Sequence, residues 1–375
     1  MNMNSAAALA TQGLSEITTN TWVNGRHMVR CARVINETHD VKTFCFLAEQ
    51  PVLFFFKPGQ FVTLELEIES QPVMRSYTIS SSPSTPYSFS ITVKRVPGGL
   101  VSNWLHDNIK EGDLLPVHGP VGNFNCIDFP AEKVLLLSGG VGITPVMSMA
   151  RWFYDTNTDT DMVFIHSARS PVDVVYQGEL INMCSRVPNF HLHLICEREA
   201  LGFPWSGYRG YLDQAKLDMM VPDLHEREVF CCGPEPYMAA VRNLLKANGF
   251  NMEQYHEESF GSTPTEVKQD AVEQAEEAEE AMEAFDSDDL ITVEFTESGK
   301  SIGVMPGETV HTAAANLGMY IPKACGMGIC GTCKVKKVSG EVEMNHNGGI
   351  TDEDVAEGYI LSCCSVPKGK VVIEQ

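Results

Sequence analysis

Three cysteines, Cys325, Cys330 and Cys333, stand in a C-x4-C-x2-C run, and Cys363 follows well downstream with Cys364 beside it. Thiolates are soft ligands that suit iron, and this spacing is the one that holds a plant-type [2Fe-2S] cluster. Gly326, Gly328 and Gly331 lie between the cysteines, where they let the loop wrap closely and turn backbone N–H groups toward the sulfurs. A zinc site or a disulfide pair is the alternative. Zinc usually takes two separated C-x2-C pairs, and a disulfide belongs to exported chains, so the cluster is the expected occupant. Cys364 is the alternative to Cys363 as fourth ligand.

Other runs also point to redox chemistry. Arg75-Ser76-Tyr77-Thr78 puts a cation, an aromatic face and hydroxyls on one short strand, with Arg75 and Tyr77 on the same face. An anionic flavin uses such a set, with the guanidinium on its phosphates, the phenol against its ring and the Thr78 hydroxyl near the atom that gains hydride. Taken alone the run equally suits a plain barrel strand, and the residues downstream of it decide. Val93 and Lys94 end a strand, Gly98 and Gly99 turn, and a helix is expected to open near Ser102. N–H groups from Gly99, Leu100, Val101 and Ser102 can receive a pyrophosphate there. Gly139-Gly140-Val141-Gly142-Ile143-Thr144-Pro145 leaves an unbroken apolar run and enters a helix, which lets backbone approach a second pyrophosphate. Cys232-Gly233-Pro234 ends another apolar run, where a buried thiol is the plain structural reading. Glu258 and Phe260 close the same region, and by itself Glu258 reads as a solvated acid.

The elements that must position these residues follow from periodicity. Residues 25–130 alternate at period two, as in Gln60 to Glu67 and Tyr87 to Val93, with Gly and Pro between the runs; this reads as an antiparallel barrel or sandwich. Residues 131–262 change to short unbroken apolar runs (Val134 to Leu137, Met162 to Ile165, His193 to Cys196, Val229 to Cys232) separated by helical stretches at Pro145 to Tyr154 and Pro236 to Asn248. That pattern implies a parallel α/β sheet. Residues 263–289 are rich in Ala and Glu and read as an acidic linker, residues 290–375 as a separate cysteine-bearing domain, and residues 1–24 as an N-terminal extension.

At 375 residues, 43% of them apolar, the chain has room for several cores. Its formal charge of -22 disfavours nucleic acid and anionic membrane as partners. No run approaches the roughly 18 apolar residues of a membrane span, and Met1 to Asn20 has neither a basic start nor an apolar core, so a cytoplasmic location is expected. Cys31, Cys45, Cys126, Cys184 and Cys196 are scattered singly and read as small core hydrophobes. Lys334, Lys336 and Lys337 follow the cluster loop and read as a solvated strand face rather than a docking patch.

R-x-Y-T, the glycine-serine turn, G-G-V-G-I-T-P, C-G-P and the closing E-x-F resemble, in this order, the motifs of the ferredoxin-NADP reductase superfamily, followed here by a segment similar to a plant-type ferredoxin domain of β-grasp fold. The resemblance implies a multi-domain chain: a flavin-binding antiparallel β-barrel, a parallel-sheet nucleotide domain and a β-grasp [2Fe-2S] domain. It implies FAD, with FMN as the alternative. It also places Cys232 beside the nicotinamide, gives Glu258 a role in positioning, lays Phe260 over the flavin, and gathers all three with Thr78 at one flavin face. Arg169 could accept the 2'-phosphate of NADPH, but a similar arginine occurs in NADH-using relatives and no second basic residue follows closely, so NADH is expected.

Arg26 to Cys31, Phe54 to Gln60 and Asp354 to Ile360 extend the resemblance over almost the whole chain, to reductase components of Rieske-type oxygenase systems of the glycine betaine monooxygenase kind, with reductases of the hybrid cluster protein next. The implied partner is a Rieske-type oxygenase that demethylates a quaternary amine. A stand-alone flavin-dependent reductase of small molecules is the different-class alternative, and the cluster-bearing tail argues against it, since a flavin alone would suffice.

Overall fold

The computed structural model describes residues 20–50, 52–156, 159–260, 291–305, 307–319, 321, 326, 328, 331, 333–346 and 349–375. The acidic linker and the N-terminal extension up to residue 19 lie outside them. The described residues fall into two compact units, one running to Ser70 and again from Tyr77 to Phe260, the other made of Gln71 to Ser76 and the described residues after Phe260.

The first unit opens with β1 (Gly25–Asn36), β2 (Val41–Ala48), β3 (Phe61–Ile68), β4 (Gln71–Thr78), β5 (Phe89–Lys94), α1 (Leu100–Asn108) and β6 (Leu114–Val121). Strand order is β4-β3-β6-β1-β2-β5. Just past β4, Ile79 bridges Ile91 of β5 in antiparallel fashion, and the Ser80 N–H donates to the Ser90 carbonyl at 2.7 Å, so the two ends of the order meet and the sheet closes. Period two explains the inside: Leu64, Leu66 and Ile68 of β3 are buried while Glu67 faces out. Trp22 stacks on Phe89 at 5.0 Å and meets Phe54 edge-on at 4.8 Å, a barrel core in which each large ring contributes about 1.5–3 kcal/mol of burial.

The same unit continues with β7 (Lys133–Gly139), α2 (Ile143–Asp155), β8 (Asp161–Ala168), α3 (Gln177–Arg186), β9 (Phe190–Cys196), β10 (Tyr208–Arg209), α4 (Gln214–Met220), β11 (Glu228–Cys232), α5 (Glu235–Ala247) and β12 (Tyr255–Glu258). All five strand pairs are parallel, in the order β10-β9-β8-β7-β11-β12. The apolar runs are unbroken because both faces are covered. Val134 and Leu136 pack with Val146, Met147, Ala150, Leu180 and Met183 of α2 and α3, while Leu135 and Leu137 pack with Leu217, Met220, Met238, Val241 and Leu245 of α4 and α5. Order reverses at β7, which has β8 on one side and β11 on the other, and a crevice at the carboxyl ends of such strands is where this architecture binds ligands.

The second unit holds β13 (Thr292–Phe295), β14 (Lys300–Gly303), α6 (Val310–Asn316), β15 (Lys334–Ser339), β16 (Val342–Met344), α7 (Asp352–Ala356), β17 (Tyr359–Leu361), β18 (Ser365–Pro367) and β19 (Val371–Glu374). A mixed sheet of order β14-β13-β19-β15-β17 lies against α6 through Val293, Phe295, Val310, Ala313, Ala314, Val335, Ile360, Val371 and Ile373. Lys334 pairs with Asp354 at 2.9 Å and Lys337 donates to the Gly340 carbonyl at 2.7 Å, as expected of an ordinary strand face. Among the described residues no helix is long and apolar enough to cross a membrane.

Candidate active site

The carboxyl ends of β7, β11 and β12 bring the motifs of the nucleotide domain together. In register, Cys232 of β11 lies between Ser138 of β7 and Glu258 of β12. After Gly139 the chain makes a single tight turn, Gly140–Gly142, and enters α2. A Cβ on Gly142 would sit 2.4 Å from the Cys232 carbonyl oxygen, so only glycine lets the turn press against the Cys232-Gly233 backbone. Gly139 and Gly233 close the same joint around the Tyr237 ring, with Pro234 beginning the next turn into α5. Gly140 has φ +54 and open space where a side chain would project. Thr144 is buried and its hydroxyl donates back to the Val141 carbonyl at 3.3 Å, bracing the turn.

Helix ends separate phosphate sites from ordinary starts. α4 is capped by Asp213, α6 by Thr309 and α7 by Thr351, while α3 and α5 carry Glu179 and Glu235 in their first turns. Among the described helices, only α1 and α2 start with neither a side-chain cap nor an acid; at α2 the Ile143 N–H already donates to the Gly140 and Val141 carbonyls, so it is the start of α1 that offers its first N–H groups to an anion. α1 starts at Leu100 with Gly99 as its cap, two residues before the expected opening, because the Ser102 hydroxyl accepts from the Val96 N–H at 3.1 Å instead of capping the helix. Val101 and Ser102 are buried, and Leu100 is exposed.

Thr78, at the end of β4, hydrogen-bonds the Glu258 carboxyl, although a whole domain separates them in sequence. Glu258 is therefore not a solvated acid: it is 8% exposed, and burial raises its pKa to about 8 against the pull of the Thr78 bond. Its Oε2 is buried without a hydrogen-bond partner. Burial first, and then the Glu258 charge, push the Cys232 thiol well above its ordinary range, so it is a neutral, compact side chain rather than a nucleophile. Arg75 and Tyr77 share a face of β4, both half-buried, and Arg75 makes no ion pair among the described residues. Ser76 is half-buried on the opposite face. Val93 is buried, and the Lys94 ammonium is 3.3 Å from the Asp40 carboxylate. Phe260 lies two residues past β12 and is 47% exposed. An orphaned buried carboxyl oxygen, two helix starts without a side-chain cap and a glycine turn with open space fit an anionic flavin and a nicotinamide nucleotide.

In the second unit Cys333 and Cys363 are both buried, and the Ser362 N–H and hydroxyl each donate to the Cys333 carbonyl at 3.0 Å, joining the two cysteine-bearing segments. Gly326, Gly328 and Gly331 all have φ near +70, the left-handed form that glycine adopts freely. The Cys364 thiol donates to the Leu361 carbonyl at 3.6 Å and lies where a Cβ on Gly328 would sit, 2.7 Å away. Cys325 and Cys330 lie outside the described residues. Buried thiols among left-handed glycines fit an iron-sulfur cluster.

Residues 29–126 match the family of oxidoreductase FAD-binding domains, 136–243 the oxidoreductase NAD-binding domains, and 293–368 the 2Fe-2S iron-sulfur cluster binding domains. The glycine betaine monooxygenase reductase subunit of Pseudomonas aeruginosa strain UCBPP-PA14 is 70% identical over 361 residues, 96% of this chain and 98% of its own. The chain belongs to this family of reductase subunits. NADH oxidoreductase HCR of Escherichia coli K12 is 31% identical, over 91% of this chain and 95% of its own. Phthalate dioxygenase reductase, at 22% identity, shares the fold with a TM-score of 0.57, over 94% of this chain and 98% of its own.

Two features escaped the sequence reading. Arg169 is exposed just past β8, and the N–H of Arg198 donates to its carbonyl at 2.9 Å, so a second basic residue stands beside it in space though not in sequence. Glu197, whose N–H donates to the Ala168 carbonyl at 3.0 Å, stands at the same edge, with its carboxylate accepting from the Tyr211 hydroxyl. The pairing of Ala168 with Cys196 across β8 and β9 makes this neighbourhood, and that register is not visible in either segment alone.

Proposed function

We propose that this reductase takes electrons from NADH and hands them, through the cluster in its C-terminal domain, to a separate Rieske-type oxygenase that removes a methyl group from glycine betaine. The observation that carries the reading is the succession of FAD, NAD and 2Fe-2S modules in a chain 70% identical to a glycine betaine monooxygenase reductase subunit over nearly its whole length. Bound flavin supplies a two-electron acceptor for hydride that can release electrons singly, and the cluster supplies a one-electron carrier. Residues 25–130, 131–262 and 290–375 form the three functional domains, with 1–24 an extension and 263–289 a spacer.

In this reading the chain's own residues bind, orient and shield. Arg75, Lys94 and the first N–H groups of α1 from Leu100 to Ser102 hold the flavin phosphates; Ser76, Tyr77, Val93 and Gly99 shape its seat. Gly139, Gly140, Gly142 and Thr144 form the turn that takes the nucleotide pyrophosphate, and Gly233 and Pro234 keep the facing loop close. Thr78 and Glu258 hold a proton in their shared hydrogen bond. Cys232 fills the site with an uncharged thiol, and Phe260 covers the flavin until the nucleotide enters. Cys325, Cys330, Cys333 and Cys363 hold the cluster, since Cys364 spends its thiol on Leu361. The preference for NADH over NADPH rests on Glu197, because a carboxylate at this edge accepts from ribose hydroxyls and repels a 2'-phosphate beside Arg169 and Arg198.

Anaerobic titration with NADH, followed by visible absorption and low-temperature paramagnetic resonance, tests the internal route. Bleaching of the flavin together with a reduced [2Fe-2S] signal is expected, at lower concentrations of NADH than of NADPH. Addition of the oxygenase, glycine betaine and air is then expected to release one formaldehyde for each NADH and O2 consumed. A reduced flavin with no cluster signal, or no formaldehyde, overturns the reading in favour of a flavin reductase.

A further inference from the structure

Beside the apolar contacts of Val41, the joint between the barrel and the nucleotide sheet holds a partly buried polar network, which an interface serving only to hold two domains together does not require. Arg151 lies on α2, with 18% of its side chain exposed. Its Nη1 donates to the Ser80 carbonyl at 2.5 Å, while Nε and Nη2 donate to the two carboxylate oxygens of Glu179 at 2.7 and 2.6 Å. The guanidinium carbon is 4.5 Å from the centre of the Tyr176 ring. The hydroxyl of Tyr176 is bonded to that of Thr92 on β5, which in turn bonds the hydroxyls of Ser80 at 3.0 Å and Thr43 at 2.8 Å. One helical turn before Arg151, Ser148 donates to the Ser81 carbonyl at 2.6 Å. Tyr176 holds φ +58, a left-handed conformation that a bulky residue adopts only when its surroundings impose it.

These contacts join two particular places. Ser80 and Ser81 directly continue the segment that carries Thr78, and α2 directly continues the glycine turn at Gly139 to Gly142. An apolar interface would hold the domains with non-directional forces and allow small slides. A forked guanidinium fixed at three acceptors sets both distance and angle, and burying one is costly enough that it is stable only with its partners in place.

We propose that Arg151 is a positioning residue for hydride transfer, setting the register between the nucleotide turn on α2 and the flavin strand at Thr78 to Ser80. This rests on the reading of the chain as an NADH-dependent flavoprotein. A slip of about 1 Å between hydride donor and acceptor costs on the order of 100-fold in rate. Arg151→Met, which keeps bulk and loses the fork, is therefore expected to slow flavin reduction at saturating NADH by about 10- to 100-fold in anaerobic stopped flow, and Arg151→Lys to fall between it and the native protein. The dissociation constant for NADH and the FAD content are expected to stay within about threefold. Photochemical reduction of the flavin bypasses the nucleotide, and the cluster signal that follows it is expected at the native rate.

A merely structural role would lower the melting temperature and FAD content and leave the reduction rate per bound flavin unchanged, and that result overturns the proposal. Should Arg151→Met not fold, Ser148→Ala removes one neighbouring bond of the same joint; a rate about threefold lower supports the proposal and an unchanged one overturns it. Native protein that NADH does not reduce at all would instead fail the underlying reading.

Discussion

Replacing Glu258 by Gln should flatten the pH dependence of stability in the flavin-nucleotide unit. The carboxyl ordinarily titrates near 4.5 and, buried beneath Thr78, titrates at about 8. Between those values the folded protein keeps a proton that the unfolded chain has released. Folding therefore takes up a proton, and stability falls as pH rises through this window and levels off above it. With about 1.4 kcal/mol for each pKa unit, the native protein should lose roughly 2 kcal/mol between about pH 6 and pH 8. For a unit of this size that is a fall of roughly 4–8 °C in the unfolding midpoint. Gln keeps an oxygen for Thr78 to donate to and has no proton to lose, so its curve lacks that fall, while every other titrating group is common to both proteins. Release of flavin fluorescence on heating, followed at several pH values for both proteins, reads the difference directly. Parallel curves would mean that Glu258 is ionised in the folded protein and that its burial does not govern its charge.

Gly142→Ala should abolish tight NADH binding, because its Cβ would stand 2.4 Å from the Cys232 carbonyl oxygen and force the turn off the facing loop; a titration showing less than about a tenfold weakening refutes this. Cys363→Ser should lose the cluster absorption and paramagnetic signal while the flavin still accepts electrons from NADH, and Cys364→Ser should keep both; the opposite pattern would exchange their roles. Cys232→Ala should leave FAD bound and slow hydride transfer from NADH by about tenfold, since the residue shapes the space where the two rings meet. An unchanged rate would reduce Cys232 to a buried core thiol.

Much of this protein is written in short stretches of its chain. The alternation of β3 and the unbroken runs of β7, β8, β9 and β11 report how many faces of each strand are covered, so barrel and parallel sheet were both legible before any contact was known. The glycine turn at Gly139 was legible for the same reason: a close backbone approach is a demand on neighbouring residues. Of the scattered cysteines, Cys31, Cys126 and Cys196 are buried as core residues, and burial pushes Cys31 and Cys126 to about 12, whereas Cys45 and Cys184 are only half-buried because each lies where its element meets solvent on one side.

What sequence left open concerns residues far apart in the chain. Glu258 looked like a solvated acid until folding removed its water and set Thr78 against it. Arg198 became a neighbour of Arg169 only through the pairing of β8 with β9. Arg151 had no visible partner until Ser80, Tyr176 and Glu179 converged on it. Propensity and motif spacing act within a few residues, whereas desolvation and register depend on every segment that packs nearby, and only the assembled tertiary structure supplies those segments together.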